Sequence, residues 1–222
     1  GLYPFSMFYL RSVKQRFDEY WKNHFNTIGI NGMNEAVSNY LGKDMTDKDS
    51  REFTEWVMLM MLEKMKDYQK ETSNLYNLEA TPAEGTSYRL AKSDLDTFGE
   101  DAGLNFANTE RVEEQNADPY YTNSSHLPVG YTDDPFKALG MQENTQSLYT
   151  GGTVLHLFLG ERMPSIASTK KLVKRVASNY SLPYYSITPS FSICPEHGYI
   201  AGEHEYCPKC DAEIGYTEEE GE

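Results

Sequence analysis

The chain has 222 residues, 39% of them hydrophobic and 24% charged, and its formal net charge at pH 7 is −14. This acidity argues against a broad nucleic-acid-binding surface, which requires basic side chains, although local backbone donors can still bind a small anion. The sequence has no apolar run near the roughly 20 residues that span a bilayer and no signal-peptide pattern at its N-terminus. We therefore expect a cytoplasmic protein with reduced cysteines and with no nucleic-acid or membrane partner.

Apolar side chains at helical spacing predict a helix over residues 5–22. Gly29 and Gly32 interrupt the pattern that follows, so a strand or loop should lead into a helix that begins near Met33. The longest predicted helix covers residues 50–71. Its apolar side chains recur at i, i+3 and i+4 and are expected in the core: Trp56, Val57, Met60, Met61, Met65 and Tyr68.

The segment YNLEATPAEGTSYRLAKSD, residues 76–94, predicts a strand, a turn and a helix. Two polar segments, residues 98–118 and 119–129, predict loops. Three further elements are predicted in the rest of the chain: a buried strand within 148–161, a helix within 165–180 capped by Ser165 or Ser168, and a strand within 182–194. Helices that alternate with short apolar strands indicate an α/β fold.

All three cysteines lie in one short stretch, in the order Cys194-x2-His197, nine residues, Cys207-x2-Cys210. Two ligand pairs with two-residue gaps are typical of structural zinc, and a Cys3His set fills all four positions. A disulfide would leave one thiol unpaired in a reducing compartment. His204 is an alternative fourth ligand but lies outside the paired spacing. We predict a structural zinc site that supplies folding energy to a segment too small for its own core.

Three other stretches contain residues that could bind a ligand. In ATPAEGTSYR, residues 80–89, hydroxyl groups and Gly85 lie at a predicted strand-to-helix turn, where free helix amides can bind an anion. An ordinary capped helix explains the same residues, and spacing alone favours it. YTGGT, residues 149–153, either lets a backbone approach a ligand closely or forms a turn before a core strand. NSSH, residues 123–126, is either a polar site loop or a structural loop.

Five stretches together resemble, in this order, the C-terminal part of the anaerobic (class III) ribonucleoside-triphosphate reductases, which are glycyl-radical enzymes: residues 24–37, 77–94, 120–129, 148–161 and 194–210. The resemblance covers nearly the whole chain. It implies an α/β fold, namely part of the ten-stranded α/β barrel of ribonucleotide reductases with a C-terminal zinc-ribbon-like module. It also implies a reaction for DNA synthesis, in which glycyl and thiyl radicals replace the ribose 2′-hydroxyl of a ribonucleoside triphosphate by hydrogen.

Carried over residue by residue, the resemblance implies that substrate phosphates bind the loop of Thr81, Ala83, Glu84, Gly85, Thr86 and Ser87. It implies that a second group lies near the substrate: Asn123, Ser124, Ser125, His126, Gly151 and Gly152. The family's zinc ligands match Cys194, His197, Cys207 and Cys210. Many members have cysteine where this chain has His197, which alters the charge of the site. The implied partners are a radical S-adenosylmethionine iron–sulfur activase and a second copy of the parent protein in a homodimer.

Both radical positions of the family are expected outside this chain, which then contains no catalytic residue. Every cysteine belongs to the predicted zinc site, and Gly215-Tyr216 only superficially resembles the family's glycyl-radical motif. We expect residues 1–190 to form the C-terminal part of the barrel, 191–216 the zinc module and 217–222 an acidic flexible tail. The isolated chain should be inactive. The alternative is a catalytically inactive, zinc-containing nucleotide-binding module.

Overall fold

The computed structural model describes residues 4–128, 130–132, 134–159, 165–189, 191–201, 204 and 206–215. The first elements are α1 (Pro4–Tyr9), α2 (Arg11–Phe17), β1 (Phe25–Ile30), α3 (Met33–Leu41), α4 (Lys48–Thr72), β2 (Leu75–Ala80), α5 (Glu84–Phe98), a 3-10 helix (Glu100–Ala102) and α6 (Thr109–Gln115). Then follow α7 (Pro135–Ser147), β3 (Leu155–Leu159), α8 (Ile166–Asn179), β4 (Tyr185–Pro189), β5 (Phe191–Cys194), β6 (Gly198–Ala201) and α9 (Pro208–Glu213). This alternation confirms the predicted α/β class. No helix in these ranges is both long and apolar enough to cross a membrane.

The N-terminal helix differs from the prediction. Instead of one helix over residues 5–22, the chain forms α1 and α2, and α2 ends at Phe17. Asp18 adopts the left-handed conformation with φ 59°, and its N–H donates to Lys14 O at 2.9 Å. The Lys14 ammonium also lies 2.7 Å from Asp18 Oδ1. This local capping ends the helix before the apolar spacing does.

Two further segments differ from the sequence-based expectation. The predicted loop over residues 98–118 contains α6, whose start is stabilised by a hydrogen bond from Phe106 N to Thr109 Oγ1 at 2.8 Å. The predicted strand within residues 182–194 is two strands, β4 and β5, which belong to different sheets. Of the two candidate caps of α8, Ser165 is the one observed, because its Oγ accepts a hydrogen bond from the N–H of Ser168 at 3.1 Å. The predicted tail, residues 217–222, lies outside the described residues.

The chain divides into two compact units, residues 1–129 with 144–153, and residues 130–143 with 154–222. In the first unit, β1 and β2 are parallel and in register from Phe25↔Leu75 to Ile30↔Ala80. Helix α4 contacts this pair. The core cluster of the unit consists of Ile30, Met58, Met65, Leu78, Ala80 and Tyr149. The domain boundary expected at residue 190 stays a prediction.

The buried face of α4 is only partly the predicted one. Met65 is buried as expected, but Met58 takes the central place, with no exposed surface. Trp56 and Met60, both expected in the core, are 58% and 52% exposed. The difference arises because α4 is apolar over much of its circumference, so that the surface on which it packs decides which stripe is buried.

The glycine pair in YTGGT lies against β2. Gly151 N donates to Leu78 O at 2.7 Å, and Ala80 N donates to Gly152 O at 2.9 Å. A Cβ added to Gly151 would lie 2.9 Å from Asn77 Nδ2, which is closer than real contacts allow. The added Cβ would also lie 3.1 Å from the backbone Leu78 O, so the close approach of the two backbones leaves little room for a side chain here.

The second unit contains two strand pairs among its described residues. Strands β3 and β4 are parallel, from Leu155↔Tyr185 to Leu159↔Pro189, while β5 and β6 form an antiparallel hairpin from Phe191↔Ala201 to Cys194↔Gly198. Its core combines residues of α7, β3 and α8: Leu139, Leu155, Leu157 and Val176. The hairpin brings the first half of the cysteine cluster into position.

Candidate functional site

The four predicted metal ligands are positioned by two small elements. Cys194 is the last residue of β5, and His197 lies in the turn before β6. Gly198, the first residue of β6, has φ 69°, a conformation that glycine adopts readily. Cys207 is the N-cap of α9, where its Sγ accepts a hydrogen bond from Cys210 N at 3.4 Å. Pro208 occupies the first turn, as is typical of helix starts. Each two-residue gap therefore belongs to a local turn that brings its two ligands together.

The ligand atoms have the separations that a tetrahedral site needs. His197 Nδ1 lies 3.7, 3.5 and 3.4 Å from the Sγ atoms of Cys194, Cys207 and Cys210. The Sγ atoms of Cys194 and Cys210 are 3.6 Å apart, and all four ligand atoms lie within 4.8 Å of one another. Tetrahedral zinc with Zn–S bonds of about 2.3 Å separates its sulfur ligands by roughly 3.8 Å. The metal-binding group found in the described residues contains His197 and not the alternative His204.

Crowding of these groups perturbs their protonation. The backbone N–H of His197 lowers the pKa of the Cys194 thiol to about 6. Hydrogen bonds to Cys194 and then to Glu213 raise the pKa of His197 to about 9. Hydrogen bonds to the sulfurs of Cys194 and then Cys207 raise the pKa of Cys210 to about 12, because the thiol can donate to them only while it is protonated. A bound divalent cation would stabilise all three thiolates together, since metal binding replaces their protons.

The predicted phosphate loop leads into α5. This helix begins at Glu84, of which only the backbone is described, and its N-cap, Ala83, has no side-chain cap among the described residues. Gly85 is exposed, with open space where a Cβ would lie, and Thr86 is half-buried. Ser87 is 3% exposed. The first turn of α5 near Gly85 therefore has backbone N–H groups that no side chain caps among the described residues.

Ser87 connects the predicted phosphate loop to the polar loop. Its hydroxyl donates to Tyr121 O at 2.6 Å and accepts from Tyr121 N at 3.2 Å. Ser124 Oγ lies 3.4 Å from Thr81 O, at the limit of a hydrogen bond. The structure thus brings together residues 81–87 and 123–126, which are far apart in the sequence.

The remaining residues of the polar loop are held by their own contacts. Asn123 forms an isolated antiparallel bridge with Asn31, and His126 N donates to Asn123 O at 3.0 Å. The hydroxyls of Ser125 and Tyr149 are 2.9 Å apart. Burial raises the pKa of Tyr149 to about 12, so its hydroxyl remains a donor at neutral pH. Gly152 contacts β2 through the bond from Ala80 N to its carbonyl oxygen.

Two residues were not identified from the sequence at the junction where the start of α3 meets the polar loop. Glu35 is 1% exposed, and its carboxylate accepts hydrogen bonds from Thr122 N at 3.0 Å, Thr122 Oγ1 at 2.6 Å and Asn34 Nδ2 at 3.0 Å. The side-chain amide of Asn31 is buried with no hydrogen-bond partner among the described residues, so the junction retains unused hydrogen-bonding capacity. Neither residue stands out locally, because acids are ordinary in a first helical turn and asparagine is ordinary after a strand.

Glu213 was also missed, although helical spacing could have identified it. It lies three residues after Cys210 on α9, and residues three apart share one helix face. Its Oε1 lies 3.0 Å from His197 Nε2, the ring nitrogen that faces away from the sulfurs.

Comparisons with known proteins place the chain in one family. The model of the family described as anaerobic ribonucleoside-triphosphate reductase matches residues 1–218. Relatives with that name come from Haemophilus influenzae, 29% identical over 83% of this chain and 25% of the relative, and from Escherichia coli, 25% identical over the same shares. The relative from phage T4 is 22% identical over 75% of this chain and 24% of its own length. The chain therefore spans about a quarter of the length of these relatives.

Solved structures share the fold. The anaerobic ribonucleotide reductase from Thermotoga maritima with MES in its active site superimposes with a TM-score of 0.61 and 22% identity, covering 81% of this chain and 28% of that one. The same enzyme in complex with dATP and CTP gives a TM-score of 0.60 and 21% identity over the same shares. Because the family model matches residues 1–218, this chain belongs to the anaerobic ribonucleoside-triphosphate reductase family.

Proposed function

We propose that this chain is part of the catalytic subunit of an anaerobic ribonucleoside-triphosphate reductase. The observation that carries the proposal is the family match over residues 1–218. The parent enzyme replaces the 2′-hydroxyl of a ribonucleoside triphosphate by hydrogen, with two electrons from formate or a thiol protein. The residues of this chain would form barrel wall, bind substrate phosphates and hold a structural metal.

Both radical positions are proposed to lie outside these residues. All three cysteines belong to the metal-binding group, so none is left for a thiyl radical. Gly215 follows the end of α9 with φ 80°, the conformation in which glycine commonly ends helices. This gives Gly215 a structural role that accounts for its presence without radical chemistry. The radical activase and the homodimer are proposed for the parent protein.

A barrel wall is supported by the two parallel strand pairs, each taken by itself. In the first, Leu78 faces the core, and strand alternation places Asn77 and Glu79 on the opposite face. In the second, His156 is exposed between two buried leucines and its Nδ1 lies 2.7 Å from Ser186 Oγ. A sheet with helices on one face and polar side chains on the other is what the wall of a substrate-binding α/β barrel requires.

The start of α5 is proposed to receive the substrate phosphates. Its uncapped first-turn amides carry the positive end of the helix dipole, and triphosphates bind such ends well. Thr81, Thr86 and the backbone of Ala83–Gly85 are proposed as further polar partners of the phosphates. The bonds of Ser87, Ser124 and Ser125 fix the surrounding loops, which preserves the geometry of these amides.

Zinc is the metal proposed for Cys194, His197, Cys207 and Cys210. The residues fit it, since three thiolates and one imidazole lie at tetrahedral separations. Four protein ligands leave no open position, so the ion would stabilise the C-terminal module and take no part in the reaction. A set of three clustered thiols also supports a reducing compartment, the cytoplasm.

The second candidate is a catalytically inactive, zinc-containing module that binds nucleotides. The observation that favours it is the absence of any cysteine outside the metal-binding group in the sequence. The two candidates differ in turnover, which requires radical residues elsewhere in the reading frame.

A variant pair at Gly85 tests the proposed enzyme. G85E adds a negative charge at the first turn of α5, where an added Cβ has nothing within 4 Å and an acid suits the helix. In the full-length product of the reading frame, assayed anaerobically with activase and reductant, we expect the KM for ribonucleoside triphosphate to rise at least tenfold, on the order expected for like-charge repulsion. G85A, the matched control, should change KM less than about twofold, since it adds no charge.

The outcomes separate the parts of the proposal. Deoxyribonucleotide formation that G85E weakens and G85A preserves supports both the reaction and the phosphate loop. Turnover that is insensitive to G85E would place the phosphates elsewhere. A full-length product that binds nucleotide without turnover would favour the inactive module.

A further inference from the structure

The histidine of the metal-binding group uses its two ring nitrogens for different purposes. Nδ1 lies among the three sulfurs, at 3.4 to 3.7 Å, whereas Nε2 points the other way and lies 3.0 Å from Glu213 Oε1. The His197 side chain is 18% exposed and that of Glu213 is 70% exposed. The carboxylate therefore closes the outer side of the imidazole at the surface of the module.

We infer that Glu213 is a positioning residue of the metal centre, which selects the tautomer of His197 that can bind the metal. This inference rests on the proposed metal site. A neutral imidazole carries one hydrogen, and the nitrogen that lacks it provides the lone pair for a metal. By accepting a hydrogen bond from Nε2–H, Glu213 keeps the hydrogen on Nε2 and leaves Nδ1 free to coordinate.

Helix α9 supplies this carboxylate together with two of the ligands. Cys207 caps the helix, Cys210 follows in its first turn, and Glu213 lies three residues further along the same face. A single short element thus sets the positions of two sulfurs and of the group that orients the imidazole. The hairpin of β5 and β6 supplies Cys194 and His197 from the other side.

Charge gives Glu213 a second effect. A divalent cation with three thiolates and a neutral imidazole carries one net negative charge, whereas four thiolates would carry two. The Glu213 carboxylate adds the missing charge next to the imidazole and makes that ring a stronger electron donor to the metal. The site that contains His197 and Glu213 therefore has the same net charge as a site with four thiolates.

The test compares metal affinity in two backgrounds. In the 222-residue chain, zinc affinity is measured by competition with a chelator for the wild type, E213Q and E213A. We expect a loss of about 10- to 100-fold for E213A, the range typical of removed outer-shell partners, and a smaller loss for E213Q, whose amide oxygen can still accept from Nε2–H but carries no charge. D211N is the matched control, because it removes one negative charge from the same helix at a residue with no bond to His197. It should change affinity less than about threefold.

The H197C background isolates the mechanism. Here a thiolate replaces the imidazole, so no tautomer needs to be selected, and adding E213A should change zinc affinity less than about threefold. Absorption of the cobalt-substituted protein provides an independent readout, since E213A should shift the ligand-field bands in the wild-type background and leave them unchanged in the H197C background.

Each result decides the inference. Equal losses from E213A in both backgrounds, or none in the wild-type background, would overturn the role of Glu213 while leaving the metal site intact. A wild-type chain that fails to bind zinc would overturn the metal site itself, and the inference with it.

Discussion

At the scale of single residues, the junction around α3 depends on one buried acid. Glu35 accepts three hydrogen bonds, two of them from Thr122, which lies 87 residues further along the chain. Asn34, its neighbour, also accepts a bond from Met45 N at 3.1 Å. These contacts hold the polar loop of residues 122–126 against the start of α3, so a change at Glu35 should reach the candidate substrate region through that loop.

We predict that E35Q lowers the free energy of unfolding by about 1–3 kcal/mol. The amide keeps the size of the carboxylate but replaces one acceptor oxygen with a donor, which leaves a buried donor of Thr122 unsatisfied. Urea denaturation of the 222-residue chain measures the change. E71Q makes the same substitution at an exposed position of α4 and should alter stability by less than about 0.5 kcal/mol. Equal effects of both variants would contradict the assigned role.

At the scale of elements, Gly29 of β1 lies so close to Thr81, the residue after β2, that no side chain fits between them. A Cβ added to Gly29 would overlap the Oγ1 atom of Thr81, the first residue of the predicted phosphate loop. The close approach therefore couples the strand pair to the position of that loop. It also accounts for Gly29, which the sequence analysis interpreted only as an interruption of a pattern.

We predict opposite effects of the same substitution at two glycines. G29A should destabilise the protein by about 1–3 kcal/mol, because the added methyl group overpacks against Thr81. G140A should stabilise it by up to about 1 kcal/mol, since Gly140 is exposed within α7 and has open space around it. Thermal and urea unfolding measure both changes. T81A should recover part of the loss from G29A, and purely additive effects of the two substitutions would argue against the contact.

At the scale of the whole molecule, the metal-binding segment shows few buried side chains where they are described. Among the residues from Ser192 to Gly215 whose side chains the structure describes, Cys194 and Ile200 are buried. The first unit, by contrast, has a cluster of buried residues formed by β1, β2 and α4. The structure of the C-terminal segment should therefore depend on its metal far more than that of the first unit does.

Removal of zinc should unfold the segment locally. After treatment with a strong chelator, we predict faster amide hydrogen exchange in residues 191–201 and 206–215, with unchanged protection in α4 and β2. Mass spectrometry of deuterium uptake measures both regions in one experiment. Chelator saturated with zinc beforehand serves as the control. Faster exchange throughout the chain, or no change in the segment, would show that the metal is not a local folding determinant.

The parts of this protein that could be predicted from its sequence are those whose partners are near in the chain. Cys194 and His197, and likewise Cys207 and Cys210, are brought together within single turns, so their spacing alone indicated a metal-binding group. The cap at Ser165 was predictable for the same reason, because the N–H that its side chain binds belongs to Ser168, three residues further along the chain. The predicted end of the first helix at residue 22 was wrong, because Asp18 closes α2 through a left-handed turn that apolar periodicity does not reveal.

The sequence by itself determined the α/β class, the family and the paired cysteine spacing, since each depends on periodicity or on the order of motifs along the chain. Only the tertiary structure decided which face of α4 is buried, that Glu35 holds Thr122, and that Glu213 meets His197. The physical reason is that hydrogen bonds and packing between distant segments depend on how the elements fold together. Spacing along the chain constrains such contacts only weakly.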